Sequence, residues 1–341
     1  MAPVRVLIVD DSAFARKVLR EVLTTSPLIE VVGWARDGLD ALEKIAELRP
    51  DVITLDLVMP NLDGLGVLRA LPSESAPRVV VVSMANEDSD LGVAALQAGA
   101  IDLVQKPTAL AVDRLYEISA ELIHKVLAAS RAHAPGPVVI ARVVSTRPPA
   151  RAASKSVVVM GASTGGPQAL TRLLTALPAD FPAPIALVLH IPKGYTEPFA
   201  NRLNDECALR VVEAAEGTLL RPGLVVVARA GIHLRLIGAG VSCRAKLDFD
   251  PVQTPHRPSV DVLFESAAIG WGKHVLGVVL TGMGDDGLLG ARAIHAAGGS
   301  LLTEAESSCV VYGMPRAVFE AGLDAEESRI DEMAKAILAR F

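Results

Sequence analysis

The chain has 341 residues, of which 51% are hydrophobic, and its formal net charge at pH 7 is -6. This length suggests two domains, and the apolar fraction is sufficient for two sizeable cores. Acidic and basic residues are spread along the chain, so no charged block indicates binding to nucleic acid or to a membrane surface. The apolar runs are too short for a membrane span, and the three separated cysteines favour a reducing cytoplasm over a disulfide framework.

The first third of the chain alternates between short apolar runs and stretches with helical spacing. This pattern predicts a (βα)5 unit with a parallel sheet, which we place at residues 1–127. The predicted strands are Val4–Val9, Val31–Trp34, Val52–Leu55, Val79–Val82 and Ile101–Val104, and the clearest predicted helices are Ser12–Leu23, Gly38–Leu48 and Ala109–Ala129.

Polar side chains follow four of these predicted strands. Asp10 and Asp11 follow the first strand, Asp56 the third, Ser83 the fourth and Lys106 the fifth. Because the carboxyl ends of parallel strands share one edge of a sheet, we expect these groups to meet in one pocket. The three carboxylates would repel one another without a cation, and Mg²⁺ with oxygen ligands removes that repulsion. An aspartate in such a pocket can accept a phosphoryl group, although any one of these residues alone is better explained as a helix cap.

This segment resembles a response-regulator receiver domain, whose fold is flavodoxin-like. The resemblance is carried by the pair Asp10-Asp11, the phrase Asp56-Leu57-Val58-Met59-Pro60-Asn61-Leu62-Asp63-Gly64, Ser83 and Lys106-Pro107. It implies that a histidine kinase of the CheA type phosphorylates Asp56. One departure is Leu103, which stands where many receivers have an aromatic residue three positions before the lysine.

The resemblance also implies a role for each polar group of the pocket. Mg²⁺ would be held by Asp11, Asp56 and the carbonyl of Val58, with Asp10 nearby or acting through water. Lys106 would pair with the phosphoryl oxygens, and the Ser83 hydroxyl would bind one of them.

Residues 128–155 differ in composition from the sequence on either side. This stretch contains four prolines and five basic residues but no acidic residue. Such a composition predicts a semi-flexible linker that is stiffened by proline.

From residue 156 to residue 341 the alternation of strands and helices resumes. We predict a doubly wound, mostly parallel α/β domain, with some antiparallel pairing among its shorter strands. The predicted strands are Val157–Met160, Ile185–Leu189, Val211–Ala214, Gly223–Ala228, Ile232–Ile237 and Val275–Leu280, and the predicted helices include Gln168–Leu177, Phe199–Cys207, Ser259–Gly270, Leu288–Ala297 and Asp331–Ala339.

A glycine-rich turn follows the first strand of this second domain. Its sequence, Gly161-Ala162-Ser163-Thr164-Gly165, has the form G-x-S-x-G and precedes a predicted helix. Glycines permit a sharp turn, and the free amides at a helix N-terminus can bind an oxyanion, so Ser163 is a candidate nucleophile. A nucleotide-phosphate loop is disfavoured because the Walker lysine is absent. A serine that merely caps a tight turn is about as consistent with this motif alone.

A nucleophilic serine needs a base and a group that orients the base. His190 ends the next predicted strand, so it should lie beside Ser163, whereas His233 and His256 are weaker candidates in less regular sequence. The loop Thr281 to Gly287 offers two adjacent aspartates, Asp285 and Asp286, and spacing does not distinguish them. The chain order of serine, histidine and acid differs from that of α/β-hydrolases.

Residues 156–341 resemble the catalytic domain of the CheB family of chemotaxis methylesterases. The matching phrases are Gly161-Ala162-Ser163-Thr164-Gly165-Gly166, His190-Ile191-Pro192, Arg257-Pro258-Ser259-Val260-Asp261, Thr281 to Gly287, and Tyr312-Gly313-Met314-Pro315. The resemblance implies that Ser163 is the nucleophile, His190 the base and Asp286 the orienting acid. It also implies an oxyanion site built from the Thr164-Gly165 turn and the Met283 amide. Two departures are Arg229, in a loop that usually contains proline, and the pair Thr303-Glu304, which replaces a common glutamine-acid pair.

The combined resemblance implies a cytoplasmic, phosphorylation-activated hydrolase for chemotaxis adaptation. Its substrates would be glutamate methyl esters on chemoreceptors, with glutamine deamidation as a second reaction and no cofactor for the ester chemistry. Two alternatives are a receiver joined to a non-catalytic module, acting as an adaptor or phosphate sink, and a generic hydrolase of small esters. A DNA-binding output is disfavoured because the sequence has no helix-turn-helix and no basic recognition face.

Overall fold

The computed structural model describes residues 2–72, 76–83, 89–106, 115–132 and 156–341. The chain divides into two compact units, Met1–Pro135 and Gly136–Phe341. Most of the predicted linker, Pro107 and the beginning of the predicted helix Ala109–Ala129 lie outside the described residues.

The first unit contains one five-stranded parallel sheet. The strands are ordered β2-β1-β3-β4-β5, the order of a flavodoxin-like fold, so the predicted fold class is confirmed for this unit. Its elements are β1 (Val4–Val9), α1 (Ala13–Leu23), β2 (Ile29–Ala35), α2 (Gly38–Leu48), β3 (Val52–Leu55), α3 (Gly64–Ala70), β4 (Arg78–Ser83), α4 (Ser89–Gln97), β5 (Asp102–Gln105) and α5 (Leu115–Arg131). Helix α5 therefore continues four residues past residue 127, where we placed the domain boundary.

Local capping explains where the helices of this unit begin. The side chains of Ser12, Asp37 and Asp63 accept hydrogen bonds from backbone amides three residues ahead, at 3.3, 2.9 and 2.6 Å. A side-chain oxygen at this position satisfies an amide that has no partner within the helix. Strands β1 and β3 are apolar and largely buried, as central strands of a sheet covered on both faces should be. The carboxyl ends of these two neighbouring strands therefore present Asp10 and Asp56 at the same edge.

The second unit is built on a seven-stranded sheet in which every strand pair is parallel. Its strand order is β14-β13-β12-β6-β7-β9-β8, and a separate antiparallel pair is formed by β10 and β11. The elements are β6 (Val157–Ala162), α6 (Gly166–Thr175), β7 (Ile185–Leu189), α7 (Thr196–Glu206), β8 (Arg210–Glu213), β9 (Leu224–Val227), β10 (His233–Ile237), β11 (Arg244–Asp248), α8 (Val260–Trp271), β12 (Val275–Val279), α9 (Leu288–Ala296), β13 (Ser300–Glu304), α10 (Met314–Phe319), β14 (Glu326–Ser328) and α11 (Ile330–Leu338).

The topology of this sheet determines where a site can form. Strand β6 is the first strand of this unit, and later strands flank it as β7 on one side and as β12 on the other. Open α/β sheets bind ligands beyond the carboxyl ends of their strands at such a reversal of strand order. Strands β6, β7 and β12 are fully buried, so packing on both faces of the sheet holds them in place. The predicted doubly wound, mostly parallel fold is confirmed, and antiparallel pairing is restricted to β10 and β11.

Within the described residues, no helix combines the length and the apolar character that are needed to span a membrane.

Candidate functional site

Two acidic side chains and one lysine converge at the carboxyl ends of β1, β3 and β5. The Lys106 Nζ lies 2.8 Å from Asp10 Oδ2 and 2.6 Å from Asp56 Oδ2. All three side chains are largely buried, with exposed fractions of 0% for Asp10, 6% for Asp56 and 11% for Lys106. The structure thus forms the predicted cluster of two carboxylates and an ammonium in a single pocket.

Burial and charge act against each other in this pocket. Burial raises the pKa of Asp56, a nearby Asp10 charge adds to that rise, and the contact with Lys106 opposes it only in part. Burial alone would lower the pKa of Lys106, but the two carboxylates outweigh it and raise the pKa. The lysine therefore stays charged and holds a pair of carboxylates that would otherwise repel each other.

The carboxylates of Asp10, Asp11 and Asp56 also fit a hard divalent cation. Each offers one oxygen, and these oxygens all lie within 4.8 Å of one another. Mg²⁺ prefers oxygen ligands and retains several waters, so two or three carboxylates are an adequate protein contribution. Asp11 is exposed to solvent, which gives an incoming ion and its waters access. The donor set fits the magnesium ion that the sequence predicts.

The remaining predicted receiver residues lie around this pocket. Ser83 is fully buried at the end of β4, and its carbonyl accepts a hydrogen bond from the Lys106 amide at 2.8 Å. Val58 lies two residues beyond Asp56 with its side chain 53% exposed. Leu103, the departure from the aromatic pattern, is 1% exposed inside β5.

In the second unit, Ser163 lies in a tight turn between β6 and α6. Gly165 has a φ of 78°, a left-handed conformation that favours glycine, and a Cβ there would lie 2.4 Å from Val310. The Gly166 amide closes the turn by donating to the Ser163 carbonyl at 2.6 Å. The sharp turn predicted from the glycines is therefore present, with the serine at its corner.

His190 and Asp286 form a close pair at the same edge of the sheet. The distance from His190 Nε2 to Asp286 Oδ2 is 2.9 Å, and the side chains are only 9% and 10% exposed. Because an ionised carboxylate only accepts hydrogen bonds, the proton of a neutral His190 lies on Nε2 and leaves Nδ1 as the basic nitrogen. Nδ1 is buried and has no hydrogen-bond partner among the described residues.

Strand register places Ser163 next to this pair. Ala162 of β6 is paired with Leu189 of β7, so Ser163 and His190 are the next residues along adjacent strands. The His190 amide donates to the Ala162 carbonyl at 3.1 Å, which holds the two strand ends together. The structure brings the predicted serine, histidine and acid to one edge, but no serine–histidine hydrogen bond is formed among these described residues.

Asp286 is held by the N-terminus of α8 as well as by His190. Its Oδ1 accepts hydrogen bonds from the Ser259 hydroxyl at 2.8 Å and the Asp261 amide at 3.0 Å, and its Oδ2 accepts one from the Val260 amide at 2.8 Å. Burial alone would raise the pKa of Asp286, but His190 and these amides outweigh burial and hold the pKa well below its usual range. Asp286 is therefore an ionised hydrogen-bond acceptor with a fixed orientation.

Asp261 forms the reverse contact. Its Oδ1 accepts hydrogen bonds from the amides of Gly287 at 2.9 Å and Gly290 at 2.8 Å, at the beginning of α9. Each helix thus receives an aspartate from the start of the other. Burial, with repulsion from Asp286, raises the pKa of Asp261 to about 6. Asp285, the other acid candidate, is exposed and is not part of this network.

The loop after β12 packs directly against the serine turn. The Thr281 hydroxyl donates to the Thr164 carbonyl at 3.0 Å, and the Thr281 carbonyl accepts from the Ser163 amide at 3.0 Å. Met283 is half-buried in this loop, and its amide makes no backbone hydrogen bond within the part of the chain that the structure describes. An amide of this kind can stabilise a developing oxyanion.

Sequence reasoning missed the buried carboxyl group behind this loop. Glu304 is 1% exposed, and its two oxygens accept hydrogen bonds from the Thr281 amide at 2.9 Å and the Ser308 hydroxyl at 3.0 Å. Burial raises the pKa of Glu304 to about 7. The only signal in the sequence was the departure from the family pattern at Thr303-Glu304. A departure of this kind does not indicate which other strand end the side chain contacts.

The two weaker histidine candidates have different positions. His233 is fully buried, its Nδ1 accepts a hydrogen bond from the Ser259 amide at 3.2 Å, and burial lowers its pKa. His256 stacks on the ring of His190 with centroids 4.1 Å apart. Arg229, the other departure, is exposed and lies 3.9 Å from Glu213.

Comparisons with known proteins agree with this architecture. The CheB methylesterase family model matches residues 158–337, and the response regulator receiver domain model matches residues 6–118. A relative from Myxococcus xanthus (strain DK1622), named protein-glutamate methylesterase/protein-glutamine glutaminase 5, is 65% identical over 336 residues and covers 98% of this chain and 97% of its own length. A relative from Geobacillus kaustophilus (strain HTA426), named protein-glutamate methylesterase/protein-glutamine glutaminase, is 42% identical and covers 99% of both chains.

A solved structure supports the fold of the second unit. The crystal structure of the Thermotoga maritima CheB methylesterase catalytic domain aligns with a TM-score of 0.53 and 36% identity, covering 55% of this chain and 100% of that chain. Fold and sequence together define a response regulator whose output domain is a methylesterase built on a parallel sheet. The chain belongs to the CheB family of protein-glutamate methylesterases/protein-glutamine glutaminases, so the predicted family, fold class and type of enzyme are confirmed.

Proposed function

We propose that this chain hydrolyses glutamate methyl esters on chemoreceptors, with Ser163 as the nucleophile. The observation that carries the proposal is the pair His190–Asp286, held at 2.9 Å beside the strand end that bears Ser163. A base oriented by a buried carboxylate next to a serine is the arrangement that activates a hydroxyl. The names of the relatives from Myxococcus xanthus and Geobacillus kaustophilus support the same reaction and add glutamine as a substrate.

In the first half-reaction, Ser163 Oγ attacks the ester carbonyl carbon while its proton moves to His190 Nδ1. The tetrahedral intermediate carries its negative charge on the former carbonyl oxygen. It collapses by breaking the bond to the methoxy oxygen, which takes the proton from His190 and leaves as methanol. Asp286 stabilises the imidazolium throughout and keeps Nδ1 directed toward the reacting groups. The serine–histidine hydrogen bond forms as substrate binds, since such contacts often tighten only in the substrate complex.

In the second half-reaction, His190 removes a proton from water, and the resulting hydroxide attacks the acyl-enzyme. The bond to Ser163 Oγ breaks, the serine recovers its proton and a glutamate side chain is released. With a glutamine side chain the same steps expel ammonia instead of methanol. The Met283 amide and the turn formed by Thr164 and Gly165 are the proposed oxyanion site, supported by their position beside Ser163.

We further propose that phosphorylation of Asp56 raises the rate of this hydrolysis. A histidine kinase of the CheA type is the proposed phosphodonor. Asp10, Asp11, Asp56 and the Val58 carbonyl would hold Mg²⁺, which when bound neutralises charge around the phosphoryl group. Lys106, already 2.6 Å from Asp56 Oδ2, would pair with a phosphoryl oxygen, and Ser83 would donate a hydrogen bond to another.

The proposed compartment is the cytoplasm. Cys207, Cys243 and Cys309 are free thiols, which suits a reducing environment. The alternative of a non-catalytic adaptor or phosphate sink is not favoured, because a relative that is 65% identical over nearly the full chain carries the name of a hydrolase.

The hydrolysis is tested by measuring methanol released from methylated receptor membranes. We expect wild-type protein to release methanol and Ser163→Ala to lose at least about 10³-fold in rate, since the nucleophile cannot be replaced by water at a comparable rate. Ser242→Ala is the matched control, because Ser242 is an exposed serine in the turn between β10 and β11. Equal release by Ser163→Ala and wild type would exclude Ser163 as the nucleophile, and release by neither would exclude the proposed substrate.

A further inference from the structure

Two histidines from distant parts of the sequence stack face to face at the candidate active site. The ring centroids of His190 and His256 are 4.1 Å apart, and the planes are inclined by only 20°. The His190 side chain is 9% exposed, whereas His256 is exposed to solvent. The ring of His256 therefore covers one face of His190, while Asp286 contacts its Nε2 edge.

The segment that carries His256 is held to the domain by its neighbours on the chain. The carbonyl of Arg257 accepts a hydrogen bond from the Gly231 amide at 2.8 Å. Farther along, the Ser259 amide donates to the buried His233 at 3.2 Å. With its backbone fixed in this way, His256 can hold a flat ring against His190 at a small cost in conformational entropy.

We propose that His256 is a positioning residue for the esterase. The imidazole of His256 fixes the plane of the His190 ring, and the charge state of His256 influences the charge state of His190. The proposal rests on the function proposed above. A fixed plane keeps Nε2 on Asp286 and directs Nδ1 toward the strand end that bears Ser163. A positive charge on one of two stacked rings also disfavours a positive charge on the other.

Other charged and titratable groups lie near the pair. Asp286 contacts His190 directly, and Arg257, which is positively charged, is next to His256 in the chain. Lys193 packs against Gly231, which bonds to the Arg257 carbonyl, and adds to the positive charge on that side. His233 accepts a hydrogen bond from the Ser259 amide at Nδ1, and its Nε2 lies 3.2 Å from both the Pro251 carbonyl and the Thr254 hydroxyl. Burial lowers the pKa of His233. These groups are retained when only His256 is replaced, so their effect cancels in the comparison.

The first test is a pH profile of methanol release for two substitutions in the full chain. His256→Ala removes both the ring and the charge, and we expect kcat to fall about 10-fold with KM changed less than about twofold, because the base is less well oriented. His256→Phe keeps a flat ring and should restore kcat at pH 8 to within about threefold of wild type. Its acid limb should move up by roughly 0.5 to 1 pH unit, since His190 no longer faces a positive charge and protonates more readily.

His274→Phe is the matched control, because His274 is an exposed histidine at the amino end of β12, whereas Asp286 follows its carboxyl end. This control should leave kcat and the acid limb unchanged. If His256→Phe is as slow as His256→Ala, or if its acid limb coincides with that of wild type, the proposal is overturned.

The second test does not depend on hydrolysis. Histidine side chains of the full chain are labelled with ¹⁵N, and the His190 signals are assigned by their loss in His190→Gln. We expect the pKa of His190 to rise in His256→Phe and to stay at the wild-type value in His274→Phe. An unchanged pKa in His256→Phe overturns the proposal, even if wild-type protein releases methanol normally. Failure of wild type to release methanol instead contradicts the proposed function, and the titration still decides the role of His256.

Discussion

The candidate active site depends on one carboxylate that is oriented from several directions. Asp286 accepts hydrogen bonds from His190, from the Ser259 hydroxyl and from the amides of Val260 and Asp261. Because all four partners donate hydrogen bonds, the group at this position has to be an acceptor, which an ionised carboxylate provides. The orientation of His190 is thus fixed by the N-terminus of a helix and not by a single side-chain contact.

Substitution at this carboxylate gives the first prediction. Asp286→Asn replaces an acceptor oxygen with an amide nitrogen that cannot accept from His190, so His190 loses the tautomer with a basic Nδ1. We expect kcat to fall by about 10³- to 10⁴-fold, the effect of a comparable change in a serine–histidine–aspartate triad. Asp285→Asn, at the exposed neighbouring residue, is the matched control and should retain wild-type methanol release. A large loss of methanol release in Asp285→Asn, with little loss in Asp286→Asn, would show that Asp285 and not Asp286 is the orienting acid.

The buried Glu304 gives a prediction for stability. Burial raises its pKa from 4.5 to about 7, so the folded state binds a proton more tightly than the unfolded chain between these values. Stability from this group is complete below about pH 4.5 and is lost as pH rises through about 7. Glu304→Gln has no such proton. At roughly 1.4 kcal/mol per pKa unit, its free energy of unfolding should rise relative to that of wild type by up to about 3 kcal/mol across that pH range.

Tryptophan fluorescence allows this difference to be measured in the second unit alone. The chain has two tryptophans, Trp34 in β2 and the buried Trp271 in α8. In a Trp34→Phe background, urea unfolding followed by Trp271 reports the second unit at each pH. Curves for Glu304→Gln and wild type that keep a constant separation from pH 4.5 to pH 8 would show that Glu304 is not a buried, protonated carboxyl group.

At the scale of elements, the packing of β6 against α8 connects the serine to its acid. A Cβ on Gly161, within β6, would lie 2.4 Å from the Cγ1 of Val260 at the start of α8. The same helix start supplies the amides that hold Asp286. Close approach of the two elements, permitted by the glycine, therefore sets the separation between Ser163 and Asp286.

A double-mutant cycle tests this packing. Gly161→Ala should destabilise the second unit by about 1–3 kcal/mol through overpacking, and Val260→Ala should destabilise it through the cavity it leaves. The destabilisation of the double variant should be smaller than the sum of the two single destabilisations by about 1–2 kcal/mol, because the new methyl group occupies the vacated space. Urea unfolding followed by Trp271 gives all four free energies, and strict additivity would contradict the contact.

The elements also show what the sequence could and could not predict. The fully buried strands β3 and β7 were predicted with their correct ends, because an uninterrupted apolar run bounded by polar residues is a local signal. Strand β11, with the sequence RAKLD, was missed because it is half exposed and carries three charged residues among five. The short strands β8 and β9 were predicted, but their parallel pairing was not, since pairing depends on which strand lies adjacent in the sheet.

The same limit applies to the site. Asp10, Asp56 and His190 were found because each directly follows an apolar strand, and strand ends of a parallel sheet meet. Ser163 was found from its G-x-S-x-G turn. The contact between Asp286 and Ser259 spans 27 residues, and the contact between Glu304 and the Thr281 amide spans 23, so neither has a local signature. The stacking of His256 on His190 depends on the path of an irregular segment, which residue patterns do not predict.

At the scale of the whole molecule, the chain joins two units that each carry one candidate site. The first unit holds a buried lysine between two carboxylates, and the second holds a histidine–aspartate pair beside a serine. The first site has the chemistry to accept a phosphoryl group, and the second has the chemistry to transfer an acyl group. The central claim is that the first reaction controls the rate of the second.

The most direct test measures methanol release from methylated receptor membranes with and without a small-molecule phosphodonor and Mg²⁺. We expect the phosphodonor to raise the rate for wild type, to have no effect on Asp56→Asn, which keeps the basal rate, and to leave Ser163→Ala inactive. Chelation of Mg²⁺ should abolish the increase without lowering the basal rate, since the groups proposed for the ester chemistry all belong to the second unit. An equal increase in Asp56→Asn, or no increase in wild type that is phosphorylated at Asp56, would contradict the claim.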